Sequence, residues 1–303
     1  MYEKMIRKIT GRFYRFGTRV RNSLITYTNI RKGSYAVEIR NDQGIGAKLA
    51  WTLEILAYCD EKCLTPLFKF SYPDSKDDED YFGHFFSIRL KKNIDPVRFT
   101  RIKYIGELGF KKNYGSILNL DLAIYLINKY LLINDNVLME VDNFCRSHFG
   151  NRKILGVHYR GTDKVHEAPL VGYDTVRKNI EYYLNKFPET SSVFISSDEI
   201  NFIEYIEKAF ISRNIIYRED SFRSRNGIPV HKATNIDRYE VNRDAIVNCL
   251  ILSRCHALLK GSSILSGWSK LFNPQLSLIM LNVPYNNWFP ERDLIKEVIY
   301  TAI

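Results

Sequence analysis

Six ionisable residues, His158, Arg160, Asp163, Lys164, His166 and Glu167, crowd the stretch ILGVHYRGTDKVHEA (154–168), directly after an apolar run. Arginine offers a rigid, planar fork of donors that matches two phosphate oxygens at once, and lysine adds a compact point charge. Glu167, set between His166 and apolar Ala168, is a candidate general base for an acceptor hydroxyl; Asp163 is the alternative base. Together these types suit displacement of a diphosphate leaving group, whose two negative charges need a fixed positive partner. The plain structural alternative is that His158 and Arg160, two apart on one strand face, pair with a core carboxylate.

Such residues act together only if the fold gathers them. SYAVEIR (34–40) reads as a strand, and NDQGIGAKLAWTLEILAYCDEKC (41–63) turns through Gly44 and Gly46 into an amphipathic helix. TPLFKF (65–70) is the next strand. The acidic stretch SYPDSKDDED (71–80) reads as a solvated loop, because adjacent carboxylates repel and lack the glycine spacing of a calcium loop. A helical stretch from about Leu118 to Phe149 leads into KILGVHYR, where a second series begins. SVFISSDE (192–199), a helix near 200–211, IIYRED (215–220), the helix RDAIVNCLILSRC (243–255) and the strand ALLKG (257–261) continue it.

Strand alternating with helix implies parallel sheets, here two facing doubly wound α/β domains over 23–145 and 146–303. Ligands of such sheets bind beyond the carboxyl ends of the strands. Three segments bring polar residues to that edge: 158–167, Ser196 to Glu199 and Gly261 to Ser263. In KGSS, ahead of a new helix, Ser262 and Ser263 supply hydroxyls and amides at a positive helix end, which suits a phosphate. Gly44 and Gly46 let backbone approach a ligand. The third glycine of a dinucleotide fingerprint is missing, and the next strand ends in Phe70–Ser71 rather than an acid, which disfavours a nicotinamide enzyme.

Composition narrows the classes further. With 303 residues, 45% hydrophobic and 26% charged, the chain can bury one large core or two ordinary ones. No apolar run reaches the roughly 18 residues of a membrane span, no leader pattern opens the sequence, and five cysteines form no framework, so an intracellular, reduced protein is expected. Cys59 and Cys63 lack a second pair and read as packing residues, with no metal site. The net charge is +10. Residues 1–22 hold seven basic side chains against Glu3 alone, opposite a stripe of Ile6, Ile9, Phe13, Phe16 and Val20. That segment suits an anionic membrane surface or a helix docked on its own domain. No nucleic-acid signature accompanies the charge, so nucleic acid is not an expected partner.

At this point GVHYRGTDKVHE resembles the H-x-R-x-T-D-K motif of the α1,6-fucosyltransferase family, which includes bacterial nodulation and animal core fucosyltransferases. VFISSDE is similar to the family's second strand with its acidic pair, and DAIVNCLILSRCHALLKGSSILSGW to its third motif. The resemblance implies a GT-B fold, GDP-fucose as donor, inversion at the anomeric carbon, no metal or other cofactor, and an oligosaccharide or lipid-linked glycan as acceptor. It implies Arg160 on the β-phosphate with Ser262 or Ser263 assisting, His158 on the nucleotide, Asp198 at the donor site, and Lys164 and Glu167 facing the acceptor. Two positions depart from the pattern. Glu167 lies three residues after Lys164 where the family's glutamate lies four after its lysine, and the guanine-reading aspartate aligns with Asn248, with Asp244 one turn earlier. The rival functions are a transferase for another nucleotide sugar and a non-enzymatic binder of anions or nucleic acid. A cytoplasmic enzyme, peripheral at the inner membrane face through residues 1–22, is the expected setting.

Overall fold

The computed structural model describes residues 20–89, 98–161, 167–224 and 237–297. Helix α1 occupies 20–31. It leads into β1 (Ser34–Arg40), α2 (Ile45–Glu61) and β2 (Thr65–Ser71). The short strands β3 (Phe86–Ile88) and β4 (Thr100–Ile102) follow, then α3 (Tyr114–Ile117), α4 (Leu120–Tyr130), β5 (Leu131–Ile133) and α5 (Asp135–His148). The first sheet is parallel with order β2-β1-β4, placing Val37 beside Phe68 and Thr100. Tyr35, Val37 and Ile39 alternate inward with Phe68 and Phe70 against Leu49, Leu53 and Leu56 of α2, the period of two that a one-sided core demands.

The second series runs β6 (Lys153–Tyr159), α6 (Tyr173–Lys186), β7 (Thr190–Ser197), α7 (Ile200–Ala209), β8 (Asn214–Ile216), α8 (Arg238–Ser253), β9 (Ala257–Lys260), α9 (Ile264–Phe272), β10 (Ser277–Met280) and α10 (Glu291–Leu294). Its five strands are all parallel, in the order β10-β9-β6-β7-β8. Leu155, Val157, Val193, Ile195 and Leu259 face α6 and α7, while Ile154, Phe194 and Leu258 face α8 and α9, so the sheet is covered on both sides. Gly156 is the close approach that lets α8 lie down: a Cβ there would stand 3.0 Å from Cys255 Sγ and 3.1 Å from Leu252 Cδ2.

Three features differ from the sequence reading. The expected long helix over 118–149 is interrupted by β5, which pairs antiparallel with β3 and adds a small ribbon to an otherwise parallel fold. Helix α8 begins five residues earlier than its apolar run, because Asp237 caps it by accepting the Tyr239 amide at 2.8 Å. The acidic loop is used as a fastener. Asp80 accepts the amides of Phe70 and Phe82 at 3.1 and 3.0 Å, and Asp77 pairs with Arg40 and Arg101, each at 3.1 Å.

A single apolar core continues from the first sheet through α2 and α4 to Trp268 and Leu271 of α9. Polar contacts add to it: Tyr72 Oη donates to Asn242 Oδ1 at 2.9 Å, and the Arg238 guanidinium lies 4.4 Å from the Tyr72 ring centre.

Candidate active site

Strand β6 is the centre of the second sheet, with β7 on one side and β9 on the other. The order reverses between β6 and β9, and the chain leaving each of these strands diverges to opposite faces, which opens a crevice at their carboxyl ends. His158 pairs in register with Ser196 and Lys260, and its carbonyl accepts the Gly261 amide at 3.3 Å. Arg160 and the Gly261–Ser263 turn therefore emerge side by side from this crevice. Of the motif that follows, Thr162 to His166, including Asp163 and Lys164, lies outside the described residues.

Arg160 forms an ion pair with Asp198 at the end of β7, Nε to Oδ2 3.4 Å. Both side chains remain partly open to solvent, 26% and 18%, so the partner is an edge carboxylate and not a core one. Ser262 and Ser263 are buried at the entry of α9. Beneath them Lys260 and Glu291 pair at 2.6 Å with neither exposed. Burial raises the Glu291 pKa, while the Lys260 ammonium, the nearby Ser262 hydroxyl and the Ser263 amide pull it back. The entry of α9 thus already holds an internal carboxylate, and its neutralising lysine lies in the strand below. Asn282 ties this turn to the next loop: its Oδ1 accepts the Ser262 amide at 2.6 Å and its Nδ2 donates to the Pro169 carbonyl at 2.6 Å. The Glu167 carbonyl accepts the Tyr285 amide at 2.8 Å, so Glu167 is held against the same segment.

Asp244 and Asn248 come together in a separate cluster under residues 217–224. Asp244 Oδ1 takes Arg218 at 3.1 Å, Ser221 Oγ at 2.7 Å and the Asn248 amide at 2.8 Å; Oδ2 takes the Phe222 amide at 3.3 Å. Burial raises the Asp244 carboxyl above its usual range against these bonds. The cluster reaches the Arg160 edge through Ser224, whose amide donates to the Asp198 carbonyl at 2.7 Å.

The first sheet contributes from the facing side. Gly44 caps α2 and has open space around its α-carbon. Gly46 faces the start of α9, where a Cβ would stand 3.4 Å from Leu265, so the carboxyl edges of the two sheets meet here. Beside this loop lies a residue that sequence reading passed over. Lys48 is buried, with Nζ donating to Asn41 O and Oδ1, both at 3.0 Å, to Ser71 O at 2.9 Å and to Ile39 O at 3.4 Å. Burial lowers its pKa to about 7. It knots together the carboxyl ends of β1 and β2 behind the glycine loop. Lysines in otherwise apolar segments, GAKLA and ALLKG, are the signal that would have found both Lys48 and Lys260. Among the described residues no cluster of His, Cys, Asp or Glu is arranged to hold a metal ion.

Two parallel α/β sheets joined by one core, with their polar carboxyl edges opposed, define a GT-B-like architecture. No family model and no curated relative matches the sequence. Among solved structures, the fold is similar to that of NodZ α-1,6-fucosyltransferase soaked with GDP-fucose: TM-score 0.51 and 14% identity over 82% of this chain and 95% of that one. The same enzyme co-crystallised with GDP gives 0.52 and 14% over 84% and 97%. Selenomethionine NodZ from Bradyrhizobium gives 0.51 and 14% over the same shares. At this identity the likeness establishes the shared fold.

Proposed function

We propose that this chain is a GDP-fucose-dependent fucosyltransferase that moves L-fucose to a glycan hydroxyl with inversion and without a metal ion. The observation that carries the reading is Arg160 at the switch point of the second sheet, emerging beside the Gly261–Ser263 turn. In the reaction the acceptor hydroxyl loses its proton to a carboxylate, Glu167 or Asp163, and its oxygen bonds to the anomeric carbon from the face opposite the diphosphate. The carbon–oxygen bond to the diphosphate breaks, and GDP leaves with the electron pair. Arg160, with Ser262 or Ser263 assisting, stabilises the departing charge.

The test is a thermal-shift screen with GDP, UDP, ADP and NAD, followed by transfer from GDP-fucose to a soluble glycan. GDP is expected to raise Tm most, by mass action on the folded state. A larger shift with UDP or ADP, and no fucose transfer, would sink the reading.

A second reading, transfer from another nucleotide sugar, is favoured by one observation. The Asp244 oxygens and the Asn248 amide are committed to each other, Arg218, Ser221 and the Phe222 amide, which leaves guanine selectivity without an obvious carboxylate.

The proposed setting is the cytoplasmic membrane face, with a lipid-linked glycan as acceptor. Residues 1–19 of the basic segment 1–22, with Ile6, Ile9, Phe13 and Phe16, lie outside the described residues; helix α1, which continues it, supports the setting. Its polar face docks on the first half through Asn22 to Arg101 O at 2.8 Å and Thr26 to Thr100 at 2.7 Å, while Val20, Leu24 and Tyr27 point outward beside Arg21 and Arg31. Among the described residues no helix is long and apolar enough to cross a membrane.

A further inference from the structure

The residue after Arg160 is glycine, and its backbone does not require one, since φ lies outside the left-handed region. Space is the reason. A Cβ at Gly161 would stand 2.6 Å from Glu199 Oε1 and 2.9 Å from both Cδ and Oε2. A carboxylate is the end of a flexible side chain and would swing away from such a contact unless something held it. Here Tyr173 Oη donates to Glu199 Oε2 at 2.6 Å. Tyr173 is itself wedged edge-on against Tyr159 and Phe202, with ring centres 5.3 and 5.2 Å away, and Tyr159 Oη is fixed on the Val171 carbonyl at 3.0 Å. The Glu199 backbone is also fixed: its amide donates to Ser197 Oγ at 3.1 Å, and it bridges to Ser224.

Consecutive carboxylates thus lie against consecutive residues: Asp198 pairs with the guanidinium of Arg160, and Glu199 fills the space beside the α-carbon of Gly161. We infer that Glu199 is a positioning residue that sets the course of the chain as it leaves β6, and through it the placement of Arg160, and that position 161 is glycine to admit it. This rests on the reading of Arg160 as the diphosphate partner. Because the effect is one of shape, the charge of Glu199 is dispensable, while its length and its bond to Tyr173 are not.

The experiment is a mutant cycle on the full chain, read by calorimetric GDP binding and by Tm. Gly161→Ala is expected to weaken GDP binding by about tenfold or more, since misplacing a positioned group by about 1 Å can cost roughly 10²-fold. In a Glu199→Ala background the same substitution should add less than about twofold, because contacting residues are non-additive. Tyr173→Phe should weaken GDP like Glu199→Ala, and Glu199→Gln should bind within about threefold of wild type, since its amide oxygen still accepts from Tyr173. A loss at Gly161→Ala that is equally large with and without Glu199, or no loss at all, overturns the inference, as does a Glu199→Gln variant as weak as Glu199→Ala. If wild type binds no GDP, the donor reading falls, and the Tm cycle alone decides the contact: a Tm loss from Gly161→Ala that persists without Glu199 overturns it.

Discussion

Lys260 Nζ lies 2.6 and 2.8 Å from the two carboxylate oxygens of Glu291, and neither side chain reaches solvent. A pair so placed fixes where α10 meets the end of β9, directly below Ser262. Removing one partner leaves an uncompensated buried charge, which costs roughly 3–5 kcal/mol, whereas removing both costs far less. Lys260→Met is therefore expected to lower the urea midpoint strongly, and Lys260→Met with Glu291→Leu to recover most of it. Equal destabilisation by the single and double variants would show that the pair adds little beyond its packing volume.

Arg160→Ala should reduce transfer by about 10²-fold or more with Tm near wild type, because the guanidinium is partly exposed at the sheet edge. Arg160→Lys should be severely impaired as well, since a point charge cannot reproduce a bidentate fork. Turnover within about tenfold of wild type in the alanine variant would remove Arg160 from its assigned place.

Activity should be unchanged in excess EDTA. The Asp198 carboxylate is paired with Arg160 and that of Glu199 accepts from Tyr173 Oη, so both members of the acidic pair at the end of β7 are already engaged by protein groups. Turnover lost on chelation and restored by Mn²⁺ would place both carboxylates around a metal instead.

Lys48 predicts a pH dependence. Its folded-state pKa, about 7, lies below the 10.5 of the free side chain, so between these values the unfolded chain binds more protons. The contribution of Lys48 to stability is therefore full above about pH 10.5, falls as pH drops through the window, and levels off below about 7. Wild type should exceed Lys48→Met in stability most near pH 10, and the advantage should shrink toward pH 7 by on the order of 1–4 kcal/mol. The carbonyls on Nζ favour the charged ammonium, which places the outcome toward the lower figure. A difference that is flat with pH would show that the amine stays charged throughout.

Strands β1, β2 and β6 and helix α2 are legible in the sequence because each is an apolar run with a clear period and a glycine or polar boundary. β5 is not: Leu131, Leu132 and Ile133 continue the apolar pattern of α4, and only pairing with β3 turns them into strand. The same holds at the site. The segments carrying His158, Arg160, Asp198, Ser262 and Ser263 are legible because the strand pattern brings them all to one sheet edge. Lys48, Glu291 and Asn282 are not, because each acts by reaching backbone or a charge from a distant segment: Glu291 is 31 residues from Lys260, and Asn282 reaches Pro169 across 113. Gly161 shows the same limit, since it reads as a loop glycine until the Glu199 carboxylate is seen against it.

The exposed face of α1 makes the membrane setting testable by substitution. Leu24 and Tyr27 are 63% and 60% exposed, and residues 20–33 hold Arg21, Arg31 and Lys32 with no acidic residue. Each basic side chain close to an anionic bilayer contributes about 1 kcal/mol, and an apolar face adds to this by burial in the headgroup region. The full chain is expected to co-sediment with vesicles containing phosphatidylserine and not with neutral phosphatidylcholine vesicles. Leu24→Ser with Tyr27→Ser should reduce that binding by about tenfold, in line with the apolar area lost, and leave Tm and transfer to a soluble acceptor unchanged. A fall in Tm would mean that this face is covered by the protein itself. Concentration-dependent dimerisation abolished by the same pair would assign the face to a second copy of the chain, and vesicle binding that survives both substitutions would remove α1 from the membrane contact.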